Sequence, residues 1–176
     1  FASELCVLSP YDTWEDGTVD AEAAAVFSLS DSSVIYGKNA FEQLYPASIT
    51  KVMTAMIAIK YGNLEDLVTV PQEAVITEPG ATLCGIKPGE QLTLEQLLYG
   101  LMLPSGNDAG AAIAVHMAGS IEGFSEMMNQ EAFQIGATQT HFMNPHGLTD
   151  QDHYTTAYDL YLIFNEALKL PKFREV

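Results

Sequence analysis

The sequence predicts an α+β fold in which a helical subdomain accompanies the first two strands of an antiparallel sheet. Residues 24–29 and 33–36 are short runs of the β type on either side of Ser30-Asp31-Ser32, a pattern typical of a hairpin. Beyond the hairpin, apolar residues recur at the helical period in several separate segments. A lone two-stranded hairpin is only marginally stable in water, so we expect the sheet to need C-terminal strands that are missing from this chain.

The composition is that of a folded, strongly acidic protein. Of the 176 residues, 48% are hydrophobic and 17% are charged, so the chain can bury a core. Seven basic residues stand against 23 acidic ones, which gives a formal net charge of −16. This balance excludes a general nucleic-acid binder, which needs a basic face to displace counterions from phosphates, and it disfavours adsorption on anionic lipid.

Residues 1–22 predict an irregular, acidic N-terminal arm, and residues 23–176 predict one domain. No apolar run approaches the length of a membrane span, and no charged-then-apolar signal sequence is recognisable, so these features leave the compartment open. Cys6 and Cys84 do not form a CxxC pair, and the sequence favours two free thiols over a single disulfide.

The first predicted helix begins at Ala47, because Pro46 prevents a helix from arriving from upstream. It stops at Tyr61-Gly62-Asn63. After it, residues 67–70 are a candidate short strand, and residues 78–90, rich in glycine and proline, predict a long surface loop. The helix itself is expected to be buried through a broad apolar face made of Ile49, Val52, Met53, Met56, Ile57 and Ile59.

Four further helices are predicted. Thr93 and Gln96 have the spacing of a capping box, which opens a helix that Pro104 ends. The next helix begins near Asn107 or Asp108 and runs to residue 117 or 118, with many small residues that permit close packing. The last two cover residues 121–135 and 155–168.

A serine and a lysine stand three residues apart at the start of the first helix, as Ser48-Ile49-Thr50-Lys51. Residues i and i+3 share one helix face, so the amine can reach the hydroxyl. Serine becomes a good nucleophile when a base takes its proton, and burial can lower the pKa of a lysine enough for it to be that base. The alternative interpretation is that Ser48 is a helix cap and Lys51 a solvated first-turn residue.

Ser105-Gly106-Asn107 falls in the turn between two predicted helices, where a hydroxyl and an amide can face a cleft, although both residue types also cap helices. S-x-x-K followed by S-x-N resembles the signature of the penicillin-binding proteins and serine β-lactamases. The surrounding residues are similar to the low-molecular-mass D-alanyl-D-alanine carboxypeptidases (serine peptidase family S11), and the similarity extends over about residues 23–176. It is carried by residues 46–54, 87–90, 101–109, 140–148 and 153–160.

The resemblance implies a β-lactamase/penicillin-binding transpeptidase-like fold and a bacterial enzyme of the cell envelope or secreted from the cell. Its substrate would be a peptidoglycan stem peptide ending in D-Ala-D-Ala. Ser48 would attack the carbonyl between the two D-alanines after Lys51 takes its proton. Ser105 would relay a proton to the leaving amine, and Asn107 and Gly106 would bind the substrate. β-Lactams would acylate the same serine, and no cofactor or metal is implied.

One motif of the resembled family, K-T-G, does not occur among the 176 residues. In that family it lies on a strand well downstream, where it supplies a cation, a hydroxyl for the substrate carboxylate and a second oxyanion N–H. Loss of one oxyanion donor alone costs about 2.7–4 kcal/mol. We therefore expect residues 23–176 to be an incomplete penicillin-binding catalytic domain, inactive in isolation, that needs the missing C-terminal part of the same enzyme.

Several alternatives remain open. A DD-endopeptidase or a transpeptidase would use Ser48 and Lys51 alike, and a non-catalytic fragment of the fold could dock a partner through an open sheet edge. A class A β-lactamase is disfavoured, because no E-x-x-L-N string follows Asn107. Asp108 and Asp159 are interpreted as helix-start residues. No familiar metal-site spacing links the four histidines, so structural roles are expected for His116, His141, His146 and His153.

Overall fold

The computed structural model describes residues 5–8 and 19–176, and its architecture is α+β, as predicted. Within these residues, four strands and six α-helices follow one another along the chain. They are β1 (Ala24–Ser28), β2 (Ser33–Lys38), α1 (Thr50–Tyr61), β3 (Leu67–Thr69), β4 (Gln91–Thr93), α2 (Leu94–Met102), α3 (Asn107–Ala118), α4 (Ile121–Gln134), α5 (Ala157–Ala167) and α6 (Pro171–Glu175). Short 3₁₀ turns stand at Ala47–Ile49 and Gln72–Ala74.

The predicted N-terminal hairpin is confirmed. Strands β1 and β2 pair antiparallel, from Ala24 opposite Lys38 to Ser28 opposite Ser33, and the register shifts between Val26 and Phe27. The turn is closed by a residue with a positive φ of 53°, Ser32. In the described part of the chain this sheet contains two strands and no more.

A second two-stranded sheet was only half predicted. Strand β3 occupies most of the candidate strand at residues 67–70, and it pairs antiparallel with β4, so that Leu67 faces Thr93. Strand β4 is three residues long and runs directly into the capping box of α2, so its sequence signal is that of a helix start. Helix α6 was not predicted either, because its five residues are too few to show a helical period.

Helix α1 forms the centre of the domain. All its residues from Thr50 to Ala58 are buried, and it packs against α2, α3, α4, α5 and α6. A helix that is apolar on nearly every side is stable only when it is surrounded, which is why five other helices cover it. The small residues of α3 allow close approach, and a methyl group on Gly110 would lie 3.2 Å from a Leu101 methyl carbon.

Side-chain caps mark where α2, α4 and α5 begin. In the predicted capping box, the Thr93 hydroxyl accepts from the Gln96 N–H at 3.1 Å, and the Gln96 side chain accepts from the Thr93 N–H at 2.9 Å. Ser120 caps α4 by accepting from the Gly123 N–H, and Thr156 caps α5 by accepting from the Asp159 N–H. Each cap supplies an acceptor to a backbone N–H that has no partner inside the helix.

The predicted acidic arm lies mostly outside the described residues, which include only Leu5 to Leu8 of its first eighteen positions. Cys6 is fully buried there, and its N–H donates to the Tyr161 hydroxyl at 2.8 Å while its carbonyl accepts from the Tyr158 hydroxyl at 3.0 Å. These bonds attach residues 5–8 to α5.

Cys6 and Cys84 are both free thiols. None of the helices described here combines the length and hydropathy that a bilayer span requires.

Candidate active site

Ser48 lies in the 3₁₀ turn that leads into α1. The preceding residue, Ala47, has a φ of +48°, a left-handed conformation that costs about 1–3 kcal/mol in a residue other than glycine. The turn therefore depends on its surroundings to hold its shape. It leaves Ser48 exposed, while Thr50 and Lys51 immediately after it are buried. The accessible Ser48 hydroxyl therefore stands at the N-terminal end of a buried helix.

Lys51 is only 3% exposed, and its amine has three neighbours. Nζ donates to the Asn107 side-chain oxygen at 2.7 Å and to the His146 backbone carbonyl at 2.8 Å, and it lies 3.3 Å from Ser48 Oγ. A neutral amine has two protons and one lone pair. Because the amide and carbonyl oxygens can only accept, they take both protons, and the lone pair is left for the Ser48 hydroxyl.

Burial also lowers the pKa of Lys51 from its usual 10.5 to about 8, because the desolvated site disfavours the charged form. The neutral amine is therefore well populated in mildly alkaline solution, and the geometry and the pKa both fit a base acting on Ser48.

Asn107 is the first residue of α3, and it is buried. Its N–H donates to the Thr82 carbonyl at 2.8 Å, so backbone pairing with the 78–90 loop fixes the amide that faces Lys51. Ser105 lies in the turn between α2 and α3 with a φ of +62° and is half-buried; within the described residues its hydroxyl makes no hydrogen bond. Gly106 is buried, and the site has no room for a larger residue, because an added Cβ would lie 2.6 Å from the Gly100 carbonyl oxygen.

The structure thus joins Ser48, Lys51 and Asn107 directly, and it places Ser105 and Gly106 on the turn that presents Asn107. The sequence analysis missed the third neighbour of Lys51, the His146 carbonyl. Its residue type carries no signal, because any residue offers a carbonyl. The available signal was its place in the Asn-Pro-His-Gly run at residues 144–147.

That run forms a tight turn organised by Asn144. The Asn144 side-chain oxygen accepts from the Gly147 N–H at 2.7 Å, and its amide donates to the Leu148 carbonyl at 2.9 Å. The turn packs against the start of α1, where Thr54 Oγ1 donates to the Pro145 carbonyl at 2.6 Å. Polar residues buried on α1 therefore find their partners in this segment, as buried polar groups must.

Gly147 touches the serine turn itself. It has a φ of +88°, and an added Cβ would lie 1.8 Å from the Ala47 carbonyl oxygen. We expect Gly147→Ala to lower the free energy of unfolding by about 3 kcal/mol or more, because the strained backbone and the overlap must both be relieved by moving the turn. Denaturant unfolding measures the loss.

Gly80→Ala is the matched control for this change. Gly80 has a φ of +84° and nothing within 4 Å of an added Cβ, so only the backbone strain, about 1–2 kcal/mol, should be felt. Equal losses in the two variants would show that contact with the serine turn contributes nothing.

Asp108 fastens the 78–90 loop to α3. Its carboxylate accepts from the backbone N–H groups of Cys84 at 2.9 Å, Gly85 at 2.8 Å and Ile86 at 3.2 Å. Burial alone would raise the pKa of Asp108, but the N–H groups of Cys84 and Gly85 outweigh it, and the net shift is downward. The expected helix-start residue therefore also orders the loop next to Asn107, a role that only the tertiary contact reveals.

Two of the four histidines, His146 and His153, are buried. His153 is buried between Thr50, at 2.8 Å, and the Met143 N–H, at 3.0 Å. Burial, reinforced for His146 by the nearby charge of Lys51, lowers the pKa of His146 and of His153 to about 4, so both rings are neutral near pH 7. Among the described residues, no group of three or more His, Cys, Asp or Glu side chains is arranged to hold a metal ion.

A buried lysine beside an exposed serine, at the start of the central helix of this α+β fold, is the arrangement of the serine peptidases that include the penicillin-binding proteins. The family model for D-alanyl-D-alanine carboxypeptidase (peptidase S11) matches residues 11–175, and the chain belongs to that family. The family predicted from the sequence is thereby confirmed.

Curated relatives of the chain are named D-alanyl-D-alanine carboxypeptidases. The chain is 36% identical to the D-alanyl-D-alanine carboxypeptidase DacF of Bacillus subtilis, over 85% of this chain and 39% of that protein. It is 37% identical to DacC of Escherichia coli, over 93% of this chain and 41% of that protein. The chain thus spans about two fifths of the length of these curated relatives.

Solved structures share the fold, although they too are longer. The D-alanyl-D-alanine carboxypeptidase DacD of Francisella tularensis superposes with a TM-score of 0.79 at 34% identity, over 89% of this chain and 38% of that one. A serine-to-alanine variant of a Streptomyces DD-transpeptidase superposes with a TM-score of 0.85 at 31% identity, over 92% of this chain and 66% of that one. The predicted penicillin-binding fold class is confirmed.

Proposed function

We propose that the protein containing this chain is a serine-type D-Ala-D-Ala carboxypeptidase that trims peptidoglycan stem peptides through a Ser48 acyl-enzyme. The observation that carries the proposal is the Lys51 amine, buried, 3.3 Å from Ser48 Oγ and held by two oxygens that can only accept. Membership of the carboxypeptidase family supports the choice of substrate. Such a substrate places the enzyme in the bacterial cell envelope or outside the cell.

The acylation step follows from this geometry. The proton of the Ser48 hydroxyl passes to the Lys51 lone pair as Oγ bonds to the carbonyl carbon between the two D-alanines. The C–N bond then breaks, and Ser105 relays the proton that Lys51 took from Ser48 to the departing amine of the terminal D-alanine, which returns Lys51 to its neutral form. Asn107 holds Lys51 and hydrogen-bonds the substrate amide, while Gly106 lets the turn approach the Gly100 carbonyl.

Deacylation uses the same groups with water. Lys51 accepts a proton from a water molecule that attacks the acyl carbon, and Ser48 leaves with a proton from Lys51. A β-lactam presents a comparable amide bond in a strained ring, so it would acylate Ser48 and inhibit the enzyme. Ser48 N–H is proposed as one oxyanion donor, at the start of a helix whose N–H groups favour developing negative charge.

We propose that residues 23–176 form an incomplete penicillin-binding catalytic domain and that a C-terminal part carrying K-T-G completes it. The hairpin supports this proposal, since Val26, Leu29 and Ile35 are 48%, 52% and 58% exposed. Beside it, a groove of about 340 Å³ runs between β1 and α5. Exposed apolar surface of this kind is costly unless it is covered. The groove is lined by Ala25, Phe27, Leu29, Leu160, Phe164 and Leu168, among others.

The test is complementation. We expect residues 1–176 alone to release little or no D-alanine from a D-alanyl-D-alanine peptide, and turnover to return when the C-terminal part is added covalently or in trans. Leu29→Lys should prevent the rescue, because it places a charge in the groove. Phe133→Lys, at a 74%-exposed position of α4, is the matched control and should leave the rescue intact.

The products distinguish the alternatives. Cleavage of cross-linked stem peptides would indicate a DD-endopeptidase, and a new peptide bond to an added amine would indicate a transpeptidase, the activity named for the Streptomyces relative. Full carboxypeptidase activity from a purified, monomeric 176-residue protein would refute the need for a C-terminal part. If residues 1–176 together with the C-terminal part show no activity and form no penicillin adduct, the fold would be non-catalytic in this protein.

A further inference from the structure

His153 is buried behind the serine turn, and its two ring nitrogens have different partners. Met143 N–H points at Nδ1, 3.0 Å away, and Thr50 Oγ1 lies 2.8 Å from Nε2. A backbone N–H can only donate, so Nδ1 must be the unprotonated, accepting nitrogen. The ring proton of neutral His153 therefore sits on Nε2 and is donated to the Thr50 hydroxyl.

Thr50 stands between Ser48 and Lys51 in the chain, so whatever fixes Thr50 also fixes the relative position of that pair. Residues a few positions before His153 supply further contacts to the start of α1 and to the serine turn. The His146 carbonyl accepts from Lys51, and Gly147 lies against the Ala47 carbonyl. His153 thus ties the start of α1 to the segment that holds the Lys51 amine.

We infer that His153, as the neutral Nε2–H tautomer, is a positioning residue that acts through Thr50 to keep Lys51 buried and its lone pair directed at Ser48. The inference rests on the proposed function and adds a residue to it. The hydrogen bonds of the His153 ring go to Thr50 and to the Met143 N–H, and neither Ser48 nor Lys51 is a partner, so His153 acts through Thr50 and the 143–147 segment.

Other ionisable groups face the same region and enter the interpretation of any pH titration. His146 lies next to Lys51, and Glu78 acts on His146. Asp150 and His141 act on His153. Because the pKa of both buried histidines is near 4, neither ring changes charge over the range in which Lys51, with a pKa of about 8, titrates.

The first measurement is the tautomer in the protein at its full natural length. Long-range proton–nitrogen NMR correlations should show the His153 proton on Nε2 near neutral pH. A proton on Nδ1 would overturn the inference, because Thr50 would then have no donor in His153. This measurement needs no enzymatic activity.

The second measurement compares variants that remove one bond at a time. Thr50→Val removes the acceptor while keeping the shape. His153→Asn keeps an acceptor for the Met143 N–H, but its side chain is too short to bring its amide donor to Thr50. We expect both to be acylated by a fluorescent penicillin about ten- to hundredfold more slowly per folded molecule near pH 7. Thr50→Ser keeps the hydroxyl, and His153→Gln is long enough to place an amide donor near Thr50, so both should recover most of the rate.

The position of the pH profile separates positioning from stability alone. A loosened turn admits water to Lys51, so in Thr50→Val and His153→Asn the midpoint of acylation, and the Lys51 pKa read directly by NMR, should move upward from about 8 toward 10.5. The double variant should be no slower than the slower single one, because the two changes remove the same bond.

Each outcome is decisive. Acylation rates and Lys51 pKa values equal to those of the unmodified protein would overturn the positioning role while leaving the proposed function intact. Absence of any adduct in the unmodified protein would instead overturn the proposed function. The tautomer and the Lys51 pKa shift would still decide whether His153 controls the lysine.

Discussion

Ser48→Ala should abolish covalent labelling by penicillin in the complete protein. The variant removes the atom to which the acyl group bonds, and in serine hydrolases loss of the nucleophile costs on the order of 10⁶ in turnover. Folding should survive, because Ser48 is exposed and its hydroxyl has one neighbour, the Lys51 amine at 3.3 Å. Intact-protein mass spectrometry after incubation with a β-lactam measures the adduct, and peptide mapping locates it.

Ser30→Ala is the matched control, since Ser30 is an exposed serine in the turn of the β1–β2 hairpin, outside α1 and the 3₁₀ turn that precedes it. It should be labelled like the unmodified protein. A β-lactam adduct of unchanged yield in Ser48→Ala would show that another residue is the nucleophile, and the assignment of the site would have to be abandoned.

Lys51→Ala should lose nearly all acylation as well, because nucleophile and base act as a unit and either loss removes most of the rate. Lys51→Arg should be similarly inactive although it keeps the positive charge, since a guanidinium stays protonated at every accessible pH and has no lone pair for the Ser48 proton. Stopped-flow acylation by a chromogenic β-lactam measures both. Near-normal rates in Lys51→Ala would show that another group is the base.

The same assignment fixes the direction of the pH dependence. The active form is the neutral amine, and burial lowers the pKa of Lys51 to about 8. Acylation of the unmodified protein should therefore rise about tenfold per pH unit below the midpoint and level off above about pH 8. A rate that falls as pH rises through this range would exclude Lys51 as the base.

Local features could be predicted because they depend on neighbours along the chain. The capping box at Thr93 and the hairpin around Asp31 place their partners within a few residues, so the sequence pattern determines the geometry. The pairing of Ser48 with Lys51 is also such a local feature, since one helical turn brings the two residues together wherever the helix lies. The short strand β4 and helix α6 escaped prediction because three and five residues show no period.

The sequence by itself therefore determined the α+β class, the family, and the pairing of Ser48 with Lys51. Only the tertiary structure decided what surrounds the lysine. Its oxygen partners, Asn107 and His146, lie 56 and 95 positions away in the chain, and the His153–Thr50 bond spans 103 positions. Such contacts exist only because the core packs α1 against α3 and the 140–155 segment, and that burial is what lowers the pKa of Lys51.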